Sequence, residues 1–321
     1  MSRTSIFRRS FVMATAAFGL MGSPWVASAW AQKAVPQQEA APQNDKVTHG
    51  FLATGGATYI RSHDNKILWQ FPDGSRDGEV LEDGSVLLAL NKSKANPGGA
   101  AAIVDKSGKV LFLHKGTQSE VNTAQMLNSG AILLTEAGAK PRILEVSRDG
   151  KIVAEIPLQA QTKDHHLQTR MTRKLPNGNY LVPQLLDQVV REYTPEGKIV
   201  WEVKTPYWPF TAIRLPDGNT LIGCTLKDLV IEVDPKGEIV WQIDNKDLGS
   251  RLINDACGIQ RLPNGNTVIT SHHAQGDEVR LIEVDRNKKI VWMHKDKTKP
   301  GIHHFQILDT NGEPLTNRKL R

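Results

Sequence analysis

Three adjacent histidine pairs stand out in this 321-residue chain: His165-His166, His272-His273 and His303-His304. They hold six of its ten histidines. A neutral imidazole can take a proton, attack an electrophile or ligate a metal. Arg170 follows the first pair by four residues, and Asn254, Asp255 and Cys257 precede the second. A guanidinium there can hold a carboxylate, sulfate or phosphate through two parallel hydrogen bonds. Imidazoles with Asp255 suit a divalent metal such as Mn, Fe, Ni or Zn, for which His166, His273, His304 and Asp255 are the candidate ligands.

The elements that position these residues repeat. Leu175-Pro-Asn-Gly-Asn179 leads to Gly197-Lys-Ile-Val-Trp201, Leu215-Pro-Asp-Gly-Asn219 to Gly237-Glu-Ile-Val-Trp241, and Leu262-Pro-Asn-Gly-Asn266 to Lys289-Ile-Val-Trp292. Weaker copies run from Leu81-Glu-Asp-Gly84 to Phe112 and from Leu127-Asn-Ser-Gly130 to Ala154. A sixth is split, with a second half at Lys66-Ile-Leu-Trp69 and a first half at Leu308-Asp-Thr-Asn-Gly312. Each unit reads as four strands, A to D, and the Asn-Gly and Asp-Gly pairs predict two-residue hairpins. Repeats of this length with four strands predict an all-β, six-bladed β-propeller over residues 47–321. Strands from both ends of the chain close it in one composite blade, which removes exposed sheet edges. The repeated Trp in strand D reads as packing between blades.

In such a fold the A–B and C–D turns share one face, and the variable B–C and D–A loops share the other. The histidine pairs fall on the loop face. Alignment on the A–B glycine places Arg76, Asn122, Arg170, Phe210, Cys257 and His304 at one position, the start of the innermost strand. That ring predicts a small-molecule site at the channel mouth. His304, His166 and Arg170 are the candidate catalytic groups, with His304 and His166 as the inward members of their pairs. Arg76, Asn122, His165, Asn254, Asp255, His272, His273 and His303 are the candidate ligand-binding groups. The chemistry expected is binding of a small anion or carbohydrate, with group transfer by a histidine or a metal-dependent lyase or hydrolase as alternatives.

The D-P-x-G-x-I-V-W half of the repeat resembles pyrroloquinoline-quinone-type propellers. The L-P-N-G-N-T-L-I half resembles the arylsulfotransferase propellers. The second resemblance implies six blades and sulfuryl transfer by a channel histidine. The first does not extend to the cofactor: quinoprotein dehydrogenases have eight blades and a vicinal cysteine pair, and here Cys224 and Cys257 are far apart in sequence. Pyrroloquinoline quinone is therefore not expected. These cysteines read as buried thiols, with a disulfide as the alternative.

The N-terminus carries Arg8-Arg9-Ser-Phe11-Val12, an uncharged stretch from Met13 to Met21, and Ala29-Trp30-Ala31. That is the pattern of a cleaved leader over 1–31, similar to a twin-arginine signal, and it predicts a periplasmic or secreted protein. Residues 32–46, rich in Gln, Ala and Pro, read as a linker. The leader holds Arg3, Arg8 and Arg9 and no acid, so of 40 basic residues 37 remain against 34 acidic ones, a charge of +3 rather than +6. No basic run suits nucleic acid, and no second apolar stretch suits a membrane span.

Overall fold

The computed structural model describes residues 47–274, 278–297, 301–315 and 321. The leader and the linker lie outside them. Six antiparallel sheets form the blades of a propeller. Blades 1 to 5 begin with innermost strands at Ser75–Val80, Glu120–Met126, Arg173–Lys174, Pro209–Arg214 and Ile259–Arg261. Blade 6 is composite. Its innermost strand, Ile302–Thr310, pairs with His49–Gly55, followed by Thr58–Arg61 and Ile67–Phe71. The C-terminal segment thus supplies one strand of a whole blade rather than two. Among the described residues after Gly312, Glu313–Pro314 pairs back, on the side of Ile302–Thr310 away from His49–Gly55. No helix among the described residues is long and apolar enough to cross a membrane.

The A–B turns differ in one detail from the expected hairpins. Gly84, Gly130, Gly178, Gly218, Gly265 and Gly312 all have positive φ, but the residues before the first five, Asp83, Ser129, Asn177, Asp217 and Asn264, do not. In blade 1, Gly84 N–H donates to the Leu81 carbonyl and Leu81 N–H to that of Ser85. This is a type I turn closed by a left-handed residue, the three-residue hairpin. The acidic or amide side chain instead accepts from the backbone beyond the glycine, as Asp83 does from Ser85 N–H. Asn65 and Lys288 take the left-handed position in the C–D turns of blades 6 and 5.

The three inner strands of each blade are largely buried on both faces, so they alternate between two interfaces rather than between core and water, whereas the outermost strands expose residues such as Leu68, Val153 and Val240. Leu87 and Ala89 pack towards blade 2, whereas Val86, Leu88 and Leu90 pack towards blade 6. Six apolar clusters each join two neighbouring blades. The tryptophans sit in these joints. Trp201 Nε1 donates to the Pro235 carbonyl under the Arg214 guanidinium, and Trp241 Nε1 to that of Arg286, whose guanidinium covers it.

The innermost strands have an edge that faces the channel and, apart from the short Glu313–Pro314 pairing on Ile302–Thr310 and a bridge between Met171 and Thr211, no neighbouring strand among the described residues. Side chains from the preceding blade cap it. Asp77 accepts from Ala124 N–H, Glu79 from Met126 N–H, Gln125 from Lys174 N–H, Gln260 from Ile307 N–H and Gln306 from Val80 N–H. Asp77 does more. Fully buried, it binds both terminal nitrogens of Arg173 at 2.8 and 3.1 Å and Arg321 at 3.1 Å. Burial pushes its carboxyl pKa up, but the Arg173 and Arg321 charges outweigh this and hold it below the usual carboxylate range.

Removing this carboxylate takes from buried Arg173 its ion-pair partner and leaves Arg321 with Glu79 alone. Asp77→Ala should lower the unfolding free energy by about 3–5 kcal/mol in denaturant titration. A loss under about 1 kcal/mol would contradict the role assigned to Asp77.

Candidate functional site

The start of each innermost strand is where the aligned ring residues stand. Arg170 and Cys257 immediately precede their short strands; the other four lie in theirs. Arg170 is central. Its side chain is 1% exposed, Nη1 donates to the Thr169 carbonyl at 2.7 Å, and Nε has no partner. Among the described residues no carboxylate lies within ion-pair distance of it. Its guanidinium lies 5.5 Å from the Phe210 ring centre. Burial first, and then the nearby Arg76 charge, lower its pKa to about 9, so it stays cationic at neutral pH.

Arg76 pairs with Glu120 at 3.3 Å. Glu120 is buried and also meets half-exposed Lys92 at 3.0 Å and His166 Nδ1 at 3.0 Å. Burial would raise its pKa, yet the His166 hydrogen bond and the Arg76 charge hold it at about 2. Sequence reasoning passed over Glu120. It stands two residues before Asn122 in the same strand, where a bulge between Val121 and Thr123 breaks the alternation, so that Glu120 turns to Arg76 of blade 1 and Asn122 to Thr169 of blade 3.

The two rings of the third histidine pair part company. His303 lies at the mouth: Nδ1 is 3.1 Å from the Arg76 carbonyl oxygen, and the ring meets Phe210 edge-on at 4.6 Å and His272 at 5.1 Å. Because a carbonyl only accepts, Nδ1 carries the proton and Nε2 the lone pair. Burial, with His272, Arg76 and Arg170 beside it, keeps this imidazole neutral. His304 is the inward residue expected, but it lies with the Asp77 cluster. It is fully buried, Nδ1 is 3.6 Å from Asp77, and neither nitrogen has a hydrogen-bond partner.

The first two pairs are not in strands, so alternation does not decide their direction. His165 and His166 occupy a single turn of 3-10 helix capped by Asp164. His165 Nδ1 meets Ser119 Oγ at 2.7 Å, and the His166 ring is more than half exposed. His273 Nδ1 pairs with Asp255, and Asn254 Nδ2 donates to the His273 carbonyl. Asp255 adopts a left-handed φ of 66° and also accepts from Leu226 N–H. Asn122, fully buried, donates to the Thr169 carbonyl, and its Oδ1 is unpartnered.

The structure thus brings together Arg76, Arg170, Phe210, His303 and His272, with Glu120 and His166 beside Arg76. His273 and Asp255 join at the rim through His272, whose ring is 4.6 Å from that of His273. The four candidate metal ligands separate into three places, on Glu120, Asp255 and Asp77. Among the described residues no three His, Cys, Asp or Glu side chains converge as a metal set. Cys224 and Cys257 are buried free thiols; burial raises the first to about 12 and the second well above its usual value. A seventh apolar cluster, which includes Met171, Leu185, Phe210 and Cys257, joins blades 3, 4 and 5 at this end. A separate cavity of about 390 Å³ opens on the turn face, lined in part by Arg173, Lys174, Arg214 and Arg321. Each of these four cations is already paired with a carboxylate.

No protein-family model matches the chain, and no curated protein does. Solved structures are similar in fold. A protein of unknown function from Bacteroides caccae is 24% identical over 84% of this chain and all of its own, with a TM-score of 0.72. A streptogramin B lyase is 14% identical over 81% of this chain and 89% of its own, at 0.56. A catalytically inactive virginiamycin B lyase from Staphylococcus aureus, solved with quinupristin, is 15% identical over 80% and 86%, at 0.54. These likenesses extend to the β-propeller fold.

The buried histidines set an acid limit on stability. Burial depresses His272 to about 4 and His304 to about 3, whereas an unfolded histidine titrates near ~6.5. Their contribution is full above that unfolded value and is lost as pH falls through the folded ones. The melting temperature should fall steadily from pH 7 to pH 4 in calorimetry, and His304→Gln should flatten the slope. An unchanged melting temperature over this range would contradict the neutral, buried state of these rings.

Proposed function

We propose that the protein binds a small anion at the loop end of its channel, held by Arg170 and Arg76 with His303 alongside. The observation that carries this reading is the Arg170 guanidinium, 1% exposed, with no carboxylate partner and an unpartnered Nε. A buried charge without a counter-charge is costly, so a site that keeps one is adapted to a ligand that supplies it. Arg76, within electrostatic reach of Arg170, adds a second donor. A neutral carbohydrate gives the buried cation no counter-charge and is the less favoured ligand. The leader supports export to the periplasm or beyond, where such a ligand would be met.

A second reading, group transfer, is favoured by the tautomer of His303. With Nδ1–H on the Arg76 carbonyl, the Nε2 lone pair can attack the sulfur of an aryl sulfate. The N–S bond forms, the S–O bond breaks, and the aryl oxide leaves to take a proton from water. The resemblance of the repeats to arylsulfotransferases supports testing this chemistry, with His303 in the role first assigned to His304 and His166.

Thermal shift against a panel of sulfate, phosphate, acetate, benzoate, glucose and galactose tests the binding reading. Anions should raise the melting temperature and the sugars should not. Arg170→Gln should weaken the best anion about 10- to 100-fold, the usual loss for a charged hydrogen-bond partner. Stabilisation by sugars alone would overturn the reading. Release of nitrophenol from nitrophenyl sulfate in the presence of a phenol acceptor, abolished by His303→Asn, would support transfer.

A further inference from the structure

Among the described residues Glu120 is the carboxylate that pairs with a guanidinium of this mouth, and it has more partners than a surface ion pair needs. It is 2% exposed and touches Arg76, Lys92 and His166. From these contacts, and resting on the anion-binding reading above, we infer that Glu120 sets the charge of the ligand, so that the site takes singly charged anions in preference to doubly charged ones.

The buried charges that act on Arg170 are the Arg76 guanidinium and the one carboxylate of Glu120, so that with Arg170 itself they leave a single net positive charge; buried Asp255 sits further round the rim against His273. The imidazoles facing them do not add to it: His303 and His272 are held neutral by burial. Lys92 and His166 reach Glu120 from positions 51% and 54% exposed, where water screens them. Asp164 and Asp255 also face this region. Asp164 is exposed at the 3-10 turn, and Asp255 is engaged by His273, Leu226 N–H and Thr225 Oγ1. A monoanion on Arg170 completes neutrality. A dianion leaves an excess negative charge in a water-poor site, next to a carboxylate that cannot move away without breaking its bonds to Arg76 and His166. Glu120 is thus a specificity-determining residue that does not itself hold the ligand.

Perchlorate and sulfate are tetrahedral anions of similar size and different charge, and calorimetric titration at fixed ionic strength compares them. Their different hydration makes the change in preference on mutation, rather than its wild-type value, the deciding quantity. Glu120→Gln should shift the preference towards sulfate by about tenfold or more, whereas Glu120→Asp, which keeps the charge, should shift it less than threefold. Lys92→Glu replaces a positive charge by a negative one, a change of two units, at a half-exposed position. It should weaken sulfate at least threefold more than perchlorate, and it decides the matter if Glu120→Gln does not fold. An unchanged sulfate-to-perchlorate ratio in Lys92→Glu and in any folded Glu120→Gln protein would overturn the role of Glu120 while leaving anion binding intact. Failure of the wild type to bind either probe would overturn both.

Discussion

The innermost strand of each blade has an edge left almost wholly without a partner strand, and the chain must satisfy it from the channel side. Asp77 is the point where this requirement is most concentrated. One buried carboxylate accepts from the backbone of blade 2, binds Arg173 of blade 3, receives Arg321 and lies beside His304 of blade 6. Unmade hydrogen bonds at a buried edge would cost more than the made ones contribute. The capping residues, Asp77, Glu79, Gln125, Gln260 and Gln306, therefore act as much on closure of the ring as the apolar clusters between blades do.

That constraint explains the contrast along the channel. At the turn end the cations are matched: Arg173 and Arg321 by Asp77, Lys174 by Glu145, Arg214 by Glu192. At the loop end Arg76 is matched by Glu120 and Arg170 by nothing the described residues provide. The proposed anion site rests on this contrast between paired charges elsewhere and one without an ion-pair partner at the channel mouth. The neighbours of Arg170 fit the same account. His303 is neutral and anchored to the Arg76 carbonyl, and Phe210 covers the guanidinium face without supplying charge.

Much of this was legible in the repeats. Six A–B glycines, a split sixth copy and a Trp in strand D are enough to specify a closed propeller, because each reports a backbone or packing need local to one blade. The ring of Arg76, Asn122, Arg170, Phe210, Cys257 and His304 was likewise legible by alignment. What the repeats could not carry is anything made between blades. Glu120 belongs to blade 2 and binds Arg76 of blade 1; Asp77 gathers partners from blades 2, 3 and 6. Two-residue periodicity also misdirects where the chain leaves strand geometry, as it does at His165-His166 in a 3-10 turn and at His272-His273 in a loop. That His303 rather than His304 stands at the mouth follows from the same limit. Alternation predicts opposite directions for neighbours, not which of them meets Asp77 and which meets Arg76.

The central claim is that Arg170 is a buried cation awaiting an anion, and bromide tests it most directly. Crystals of the protein equilibrated with bromide and measured at the bromine absorption edge should show an anomalous peak within hydrogen-bonding distance of the Arg170 and Arg76 guanidiniums. The peak should vanish in Arg170→Gln. Bromide at surface sites alone, with every Arg170 nitrogen hydrogen-bonded to protein groups, would contradict the account.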